Sequence, residues 1–416
     1  MMKQTQFRTF LIIAILFSFG SSGISQAGHL YEIGEKDSLY SDVLGEHREI
    51  WVQLPENYDP TSTRKYPVVY ILDGGVQLLA VSTVCTYYWG GFMPEMILVG
   101  ISNRTHRTRD LTPSEITTRR GSEFNQESGG AETFTRFIEK ELFPFIENKY
   151  PATNYRSLIA HSYGGLFAVH TLIHHPDLFA NYLAIDPSLD WDNQKLVKQS
   201  KEVLSSKSFQ GKSLFMSLSG QLHMQNSDIN LDNVMQDTSE YTLFARSSID
   251  FSNLVNETAR NELNYSWKFY EDDLHGTVVL PSVLDGLIFL FNWYPIRNTD
   301  KFNSPDTPLD ELVHIIRSRE LRLKEHFGYF EPPFDEGLLS MLGYMNLEWG
   351  EEEKSLAFFQ LVIEYFPLSA NAYDSLADYY IAQGDYENAL KNVSIAYELS
   401  GADYHKNRME ELKEKI

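Results

Sequence analysis

Short apolar runs alternate with amphipathic stretches from about residue 29 to residue 292 of this 416-residue chain. The runs are rich in β-branched and aromatic residues and predict strands at 47–54, 66–72, 96–102, 156–161, 180–186, 213–219 and 265–270. Several are apolar nearly throughout, which is typical of strands covered on both faces. The stretches between them predict helices at 131–148, 164–175, 192–205, 238–263 and 280–294. This alternation predicts an α/β fold, a mostly parallel sheet with helices on both faces.

The pattern changes after residue 295. Residues 296–336 are rich in proline and charge and read as a linker with one helix, at 308–325. Two segments then align at an offset of 34 residues, 342–367 and 376–401, so that Gly350 matches Gly384. That offset is the tetratricopeptide period, in which each unit is a pair of helices. We therefore expect a small all-α domain at 337–416, with its last helix as a cap.

The N-terminal residues 1–27 have a basic start, an apolar run and a small-residue end at Ala27, as a secretory signal peptide does. We expect an exported protein, periplasmic or secreted, whose catalytic domain occupies 28–295. A single cysteine, Cys85, excludes an intramolecular disulfide. The formal net charge of −22 disfavours nucleic acid and anionic membranes as partners. No stretch predicts a membrane span.

A serine stands between a short apolar strand and a small-residue helix start in the segment LIAHSYGGL. Ala160 and Gly164 flank Ser162 two positions before and after, which gives A-x-S-x-G in place of the common G-x-S-x-G. Only small residues fit those places in the strained turn that presents a nucleophilic serine. The sequence therefore predicts Ser162 as a nucleophile.

A serine nucleophile needs a base, and the expected chain order is serine, acid, histidine. His275 fits the base, because it follows the last predicted strand and precedes the helix at 280–294. His161 adjoins the serine but is expected to point to the other side of the sheet. The acid is expected after the strand that ends near Ser219. That segment offers Asp237 first, with the alternatives Asp228, Asp232 and Glu240.

Two other interpretations of the acid stay open. Asp237 could instead cap the long predicted helix, with Glu240 completing a capping box. A Ser-His dyad without a firm acid is the other possibility. For the oxyanion, one backbone N–H is expected from Tyr163, and the other from the loop after YPVVYILDGG, where Gly74 and Gly75 let a substrate approach.

These residues together resemble the putative-esterase family of α/β-hydrolases, which includes esterase D, feruloyl esterases, mycolyltransferases and siderophore esterases. The resemblance rests on YPVVYILDGG, LIAHSYGGLFAVHTL, AIDPSLDW and YEDDLHGTVVLPSVLDGLIFLF, and is closest to an exported subgroup with a tetratricopeptide-like tail. It implies an α/β-hydrolase fold and serine hydrolysis of carboxylic esters by Ser162 and His275. It also implies that four residues line or brace the substrate pocket: Arg109, Asp110, Asp186 and Trp191.

The expected activity is ester hydrolysis through an acyl-enzyme, with no metal and no organic cofactor. Siderophore esters, feruloyl or acetyl esters of glycans, and peptide or lipid esters are all open as substrates. An alternative class is an inactive hydrolase-fold scaffold that binds a protein through the helical tail. Self-association through that tail is a further possibility.

Overall fold

The computed structural model describes residues 33–56, 58–60 and 64–416, so the predicted signal peptide at 1–27 lies outside the described residues. Eight strands form one sheet in the order β1-β2-β4-β3-β7-β8-β9-β10, and two short strands form a separate hairpin, β5-β6. The strands are β1 Glu35–Ser41, β2 Glu46–Gln53, β3 Tyr66–Leu72, β4 Ile97–Ile101, β5 Thr118–Arg119, β6 Ser122–Glu123, β7 Ala152–His161, β8 Asn181–Ile185, β9 Ser213–Ser219 and β10 Asn264–Tyr270.

The sheet is antiparallel only at its first edge. β1 pairs antiparallel with β2, and β2 pairs antiparallel with β4. From β4 to β10 every neighbouring pair is parallel. Every residue of β3, β4 and β8 is buried, as expected for strands covered by helices on both faces. The predicted strands, the mostly parallel sheet and the α/β-hydrolase fold class are confirmed.

The helices of this region cover both faces of the sheet. They are α1 Gly74–Tyr88, α2 Arg107–Leu111, α3 Ala131–Phe137, α4 Phe143–Lys149, α5 Tyr163–His174, α6 Trp191–Ser206, α7 Leu243–Glu257 and α8 Val279–Leu290. A π-helical turn, Ile138–Leu142, joins α3 to α4. Pro144 stands in the first turn of α4 and has no N–H to donate to the preceding turn, which explains the wider turn inside the helix predicted at 131–148.

The sequence pattern did not predict β1, α1, α2 or the β5-β6 hairpin. α1 begins at Gly74, which lies against β4. A Cβ at this position would stand 2.5 Å from the Gly100 backbone. The helix predicted at 238–263 is also shorter than expected. It is confined to α7, with single 3₁₀ turns at Glu240–Thr242 and Ala259–Asn261.

After β10 the described residues contain helices and no strand. The region 296–336 holds two helices, at 299–302 and 309–327, where the sequence predicted one. After α8 come α9 Thr299–Phe302, α10 Leu309–Phe327, α11 Glu336–Trp349, α12 Glu352–Tyr365, α13 Ala370–Ala382, α14 Tyr386–Ser400 and α15 Asp403–Lys413. α10 packs on the sheet region, where the Phe327 ring lies 5.0 Å from Tyr155 of β7 and the His326 ring stacks 3.9 Å from Trp293. Within the described part of the chain, no helix combines the length and apolar character that crossing a membrane requires.

Candidate active site

Ser162 occupies a strained turn between β7 and α5. Its φ of 62° and ψ of −116° lie in a region that non-glycine residues rarely adopt. The turn is held by Ser162 N–H, which donates to Ile185 O at 2.9 Å, and by Ser188 N–H, which donates to Ser162 O at 3.1 Å. A Cβ on Gly164 would stand 3.1 Å from the Cβ of Ala160. The small residues on either side of the serine are therefore required by close packing across the turn.

Ser162, His275 and Asp186 form a continuous hydrogen-bonded line. His275 Nε2 lies 3.0 Å from Ser162 Oγ, and His275 Nδ1 lies 2.6 Å from Asp186 Oδ2. A carboxylate on Nδ1 fixes the proton there, so Nε2 is left free to accept the hydrogen bond of the serine hydroxyl. The Asp186 side chain is fully buried, whereas 39% of the His275 side chain is exposed. Such an arrangement can move the serine proton.

Asp186 is fixed by the neighbouring strand. It follows β8 directly with a φ of 42°. Its Oδ1 accepts from Ser219 N–H at 2.9 Å, and its Oδ2 accepts from the Ser219 hydroxyl at 2.9 Å. Three hydrogen bonds to one carboxylate, counting that from His275, satisfy a charge that would otherwise be costly to bury.

The carboxylate on His275 therefore comes from a different loop than the sequence predicts. The expected loop follows β9, but its first residue is Gly220, where a Cβ would overlap Glu271 O at 1.8 Å. An acidic side chain cannot follow β9 directly because that turn is closed against the end of β10. The sequence did contain a sign of this acid, because Asp186, in the segment AIDPS, directly follows an apolar strand.

The acidic residues after β9 make other contacts. Asp237 Oδ1 accepts from Ser239 N–H at 2.6 Å, a local turn ahead of the 3₁₀ turn at Glu240–Thr242. Asp228 N–H donates to Asn226, and Asp232 N–H donates to Asn230. Asp228, Asp232 and Glu240 are exposed. Among the described contacts, His275 touches none of these four carboxylates.

The segments expected to supply the oxyanion N–H groups meet at one edge of the sheet. β3 and β7 pair in parallel with Ile71 opposite Ile159, so the loops that follow them leave side by side. Arg107 links the two loops, because its guanidinium donates to Asp73 at 2.8 Å and to His161 O at 3.1 Å. Gly74 and Gly75 begin α1, and Tyr163 begins α5. First-turn N–H groups have no acceptor within their own helix, so all three can donate to a ligand. Their role toward an oxyanion remains a prediction.

His161 does not point away from the site. Its ring lies 4.6 Å from the His275 ring, and its Nε2 donates to His275 O at 2.8 Å. Burial lowers the pKa of His161 to about 4, and the neighbouring His275 acts in the same direction. His161 is therefore neutral near pH 7 and holds the loop that carries His275.

The remaining residues implied by the resemblance support the site: Asp110 and Trp191 are buried, and Arg109 is half-buried. Arg109 donates to Asp110 at 2.8 Å and to Glu46 at 2.9 Å, and Arg48 pairs with Asp110 at 2.8 Å. Trp191 is 1% exposed, and its ring packs edge-on against Tyr163 at 5.4 Å. These contacts brace the site, and a contact with substrate remains a prediction for Arg109, Asp110 and Trp191.

Arg119, on the short β5-β6 hairpin, was missed in the sequence. Its guanidinium lies 5.0 Å from the centre of the Tyr163 ring and 5.1 Å from that of Trp191. It also donates to Asp190 at 3.3 Å, and Arg120 donates to the same oxygen at 3.0 Å. Arg119 and Arg120 thus share the buried carboxylate of Asp190. Arg119 also lies beside Tyr163, the residue that follows Ser162.

The chain is similar in sequence to known esterases. Residues 41–245 match the Esterase family model, described as Putative esterase. The ferri-bacillibactin esterase BesA of Bacillus subtilis (strain 168) is 33% identical over 177 residues, which are 38% of this chain and 61% of that protein. A siderophore enterobactin esterase of Emericella nidulans is 31% identical over 186 residues, which are 41% of this chain and 60% of that protein. The chain thus spans about three fifths of the length of these two relatives.

A solved structure extends the likeness. The crystal structure of an IroE-like serine hydrolase from Shewanella oneidensis is 28% identical with a TM-score of 0.64, and the match covers 80% of this chain and 99% of that one. Over residues 41–245 the chain thus matches the Putative esterase family, and its fold is that of the α/β-hydrolases.

Proposed function

We propose that this protein hydrolyses carboxylic esters through an acyl-enzyme on Ser162. The observation that carries the proposal is the line from Ser162 Oγ to His275 Nε2 at 3.0 Å and from His275 Nδ1 to Asp186 at 2.6 Å. The two relatives named above are siderophore esterases, and the solved relative is a serine hydrolase.

The reaction follows from these contacts. His275 Nε2 takes the proton of the Ser162 hydroxyl while Oγ bonds to the ester carbonyl carbon. Asp186 stabilises the imidazolium that forms, and the N–H groups of Tyr163 and Gly74 or Gly75 stabilise the negative oxygen. The tetrahedral intermediate collapses, and His275 gives its proton to the departing alkoxide. Water then attacks the acyl group in the same way and restores Ser162. These steps use no metal or organic cofactor.

We propose a siderophore ester as the substrate. Two observations support this choice: the relatives named above act on siderophores, and Arg119 lies beside Tyr163. A guanidinium next to aromatic rings suits an anionic catechol ring. Feruloyl or acetyl esters of glycans have no comparable support in the described contacts.

Turnover by purified protein tests both parts of the proposal. We expect the catechol trilactone enterobactin to be hydrolysed faster than methyl ferulate or acetylated xylan. Ser162→Ala should lower kcat by at least about a thousandfold. Ser188→Ala is the matched control, because its hydroxyl lies 3.4 Å from Ser162 Oγ yet has no role in the proposed steps. Wild-type turnover in Ser162→Ala would refute the mechanism, and a preference for a glycan ester would refute the substrate.

An organophosphate probe distinguishes the esterase from the alternative, an inactive hydrolase-fold scaffold. Such a probe bonds to an activated serine, so the wild type should gain one adduct by mass spectrometry and Ser162→Ala none. Silence of the wild type toward the probe would favour the scaffold.

We also propose that residues 337–416 form a tetratricopeptide-like domain after a catalytic domain at 28–295 and a connecting region at 296–336. A contact at the repeat offset supports the proposal, since the Tyr344 hydroxyl donates to Asp378 at 2.8 Å. A protein partner or self-association through this region would follow, and light scattering of the full chain tests the second. Export is proposed from residues 1–27, and a mature N-terminus at Gly28 by mass spectrometry would support it.

A further inference from the structure

A carboxylate and two imidazoles converge on the far side of the helix that follows the nucleophile. Glu132 of α3 contacts two histidines of α5 and its end: Oε1 lies 3.0 Å from His170 Nε2, and Oε2 lies 2.9 Å from His175 Nε2. All three potential ligand atoms lie within 4.8 Å of one another. The His174 ring lies 4.7 Å from that of His170.

We propose that Glu132, His170 and His175 bind a zinc ion that clamps α3 to the end of α5. Zinc takes histidine nitrogens and carboxylate oxygens at about 2.0–2.2 Å, so two ligands of a tetrahedral site stand roughly 3.3 Å apart. The nitrogen–oxygen separations of 3.0 and 2.9 Å are a few tenths of an ångström below this value, and the two imidazole nitrogens lie within 4.8 Å of each other, so small side-chain rotations would complete the site. One Glu and two His make a ligand set that zinc uses in proteins.

The three side chains supply donor atoms that zinc binds, two imidazole nitrogens and a carboxylate. Their contacts, from Glu132 Oε1 to His170 Nε2 and from Glu132 Oε2 to His175 Nε2, already bring α3 and the end of α5 together. With His170 Nε2 as the ligand, the ring proton of His170 lies on Nδ1, which is buried and has no hydrogen-bond partner among the described residues.

Access and position fit a stabilising role. The side chain of Glu132 is 58% exposed and that of His175 is 34% exposed, whereas that of His170 is 5% exposed. Zinc can therefore enter from solvent and reach a buried ligand. α5 has 12 residues, so its end lies roughly 18 Å from Ser162 at 1.5 Å per residue. The ion would hold the nucleophile's helix in place without touching the reacting ester.

The test is a zinc titration of the full-length protein after removal of metals with a chelator. We expect about one equivalent of Zn²⁺ to bind by calorimetry, and Tm to rise by several degrees at saturating Zn²⁺. Glu132→Gln and His175→Ala should each abolish the rise in Tm; both positions are partly exposed, so both variants should fold, as checked by circular dichroism. The control His314→Ala removes an exposed imidazole of α10 and should keep both effects.

Zinc that binds Glu132→Gln as tightly as the wild type, or that leaves the wild-type Tm unchanged, would overturn the proposal. These measurements do not use ester turnover, so their result is independent of the proposed activity.

Discussion

Asp186 and His275 are joined by a 2.6 Å hydrogen bond across 89 residues of chain, and Ser219 holds the other side of the same carboxylate. The carboxylate therefore sets both the tautomer and the orientation of the imidazole. Asp186→Asn keeps the shape of this side chain but removes its charge. We expect kcat for an ester to fall about ten-thousandfold, because the wrong tautomer is then presented to Ser162.

Asp237→Asn is the matched control for that variant, since Asp237 contacts Ser239 instead of His275. Its kcat should stay close to the wild-type value. A large loss in Asp237→Asn together with a small loss in Asp186→Asn would return the acid role to the segment after β9. Steady-state kinetics on one chromogenic ester measures both variants.

His161 should make the fold sensitive to acid. Burial places its pKa at about 4 in the folded protein, while an unfolded histidine titrates near 6.5. Between these values the unfolded chain binds more protons, so stability is present above pH 6.5 and is lost as pH falls toward 4. From pH 7.5 to pH 5 the loss from His161 alone is about 2 kcal/mol of unfolding free energy.

His161→Gln should lose about 2 kcal/mol less over that range than the wild type does. Urea denaturation at both pH values measures the difference, and His314→Gln, on an exposed face of α10, should behave as the wild type. Equal acid sensitivity of His161→Gln and the wild type would show that His161 is protonated normally.

Gly74 and Gly75, at the start of α1, differ in how much space a side chain would have. A Cβ on Gly74 would stand 2.5 Å from Gly100 backbone atoms, whereas a Cβ on Gly75 would stand 3.3 Å from the side chain of Trp51. Backbone of a central strand cannot move as a side chain can, so Gly74→Ala should cost about 2–3 kcal/mol of stability or more.

Gly75→Ala should cost clearly less, and thermal unfolding of the two variants compares them directly. Because α1 carries the predicted oxyanion donors, Gly74→Ala should also lower kcat more than Gly75→Ala does. A Gly75→Ala variant that is the less stable of the two would contradict the packing described for this turn.

Arg119 should decide between charged and neutral substrates. We expect Arg119→Gln to lower kcat/KM about tenfold for an anionic catecholate ester, the loss of one charge-assisted contact. The same variant should change kcat/KM for neutral p-nitrophenyl acetate much less. Arg136→Gln is a control for net charge, because Arg136 lies on α3 and its guanidinium contacts Thr133. An equal loss on both esters would mean that Arg119 only supports Tyr163 and Trp191.

The pattern of apolar residues predicted the strands that are buried on both faces of the sheet. β3 and β8 are buried along their whole length and read as continuous apolar runs, so their place in a parallel sheet followed from the sequence. Ser162 was predictable because it directly follows β7, and His275 because it lies in the loop that follows β10, the last strand. The β5-β6 hairpin has two residues in each strand, too few for an alternating pattern, and Arg119 was missed with it.

The acid and the orientation of His161 depend on contacts between distant loops. Nothing near Asp186 in sequence shows that Ser219 and His275 lie beside it, and nothing near Gly220 shows that Glu271 O closes the turn there. Aspartates after β9 are more numerous, so residue order alone favoured them. Such choices are fixed by the register of neighbouring strands, which one sequence does not reveal.

The turn at Gly220 leaves no room for an acidic side chain directly after β9. Asp186, which directly follows β8, is the acid, so the stretch 222–239 supplies none of the three groups that move the proton. Replacements of the exposed residues in this stretch should therefore leave the proton-transfer groups in place, whereas Leu222 and Val234 are buried and support the end of β9. The stretch can vary at its surface without a change to the catalytic groups themselves.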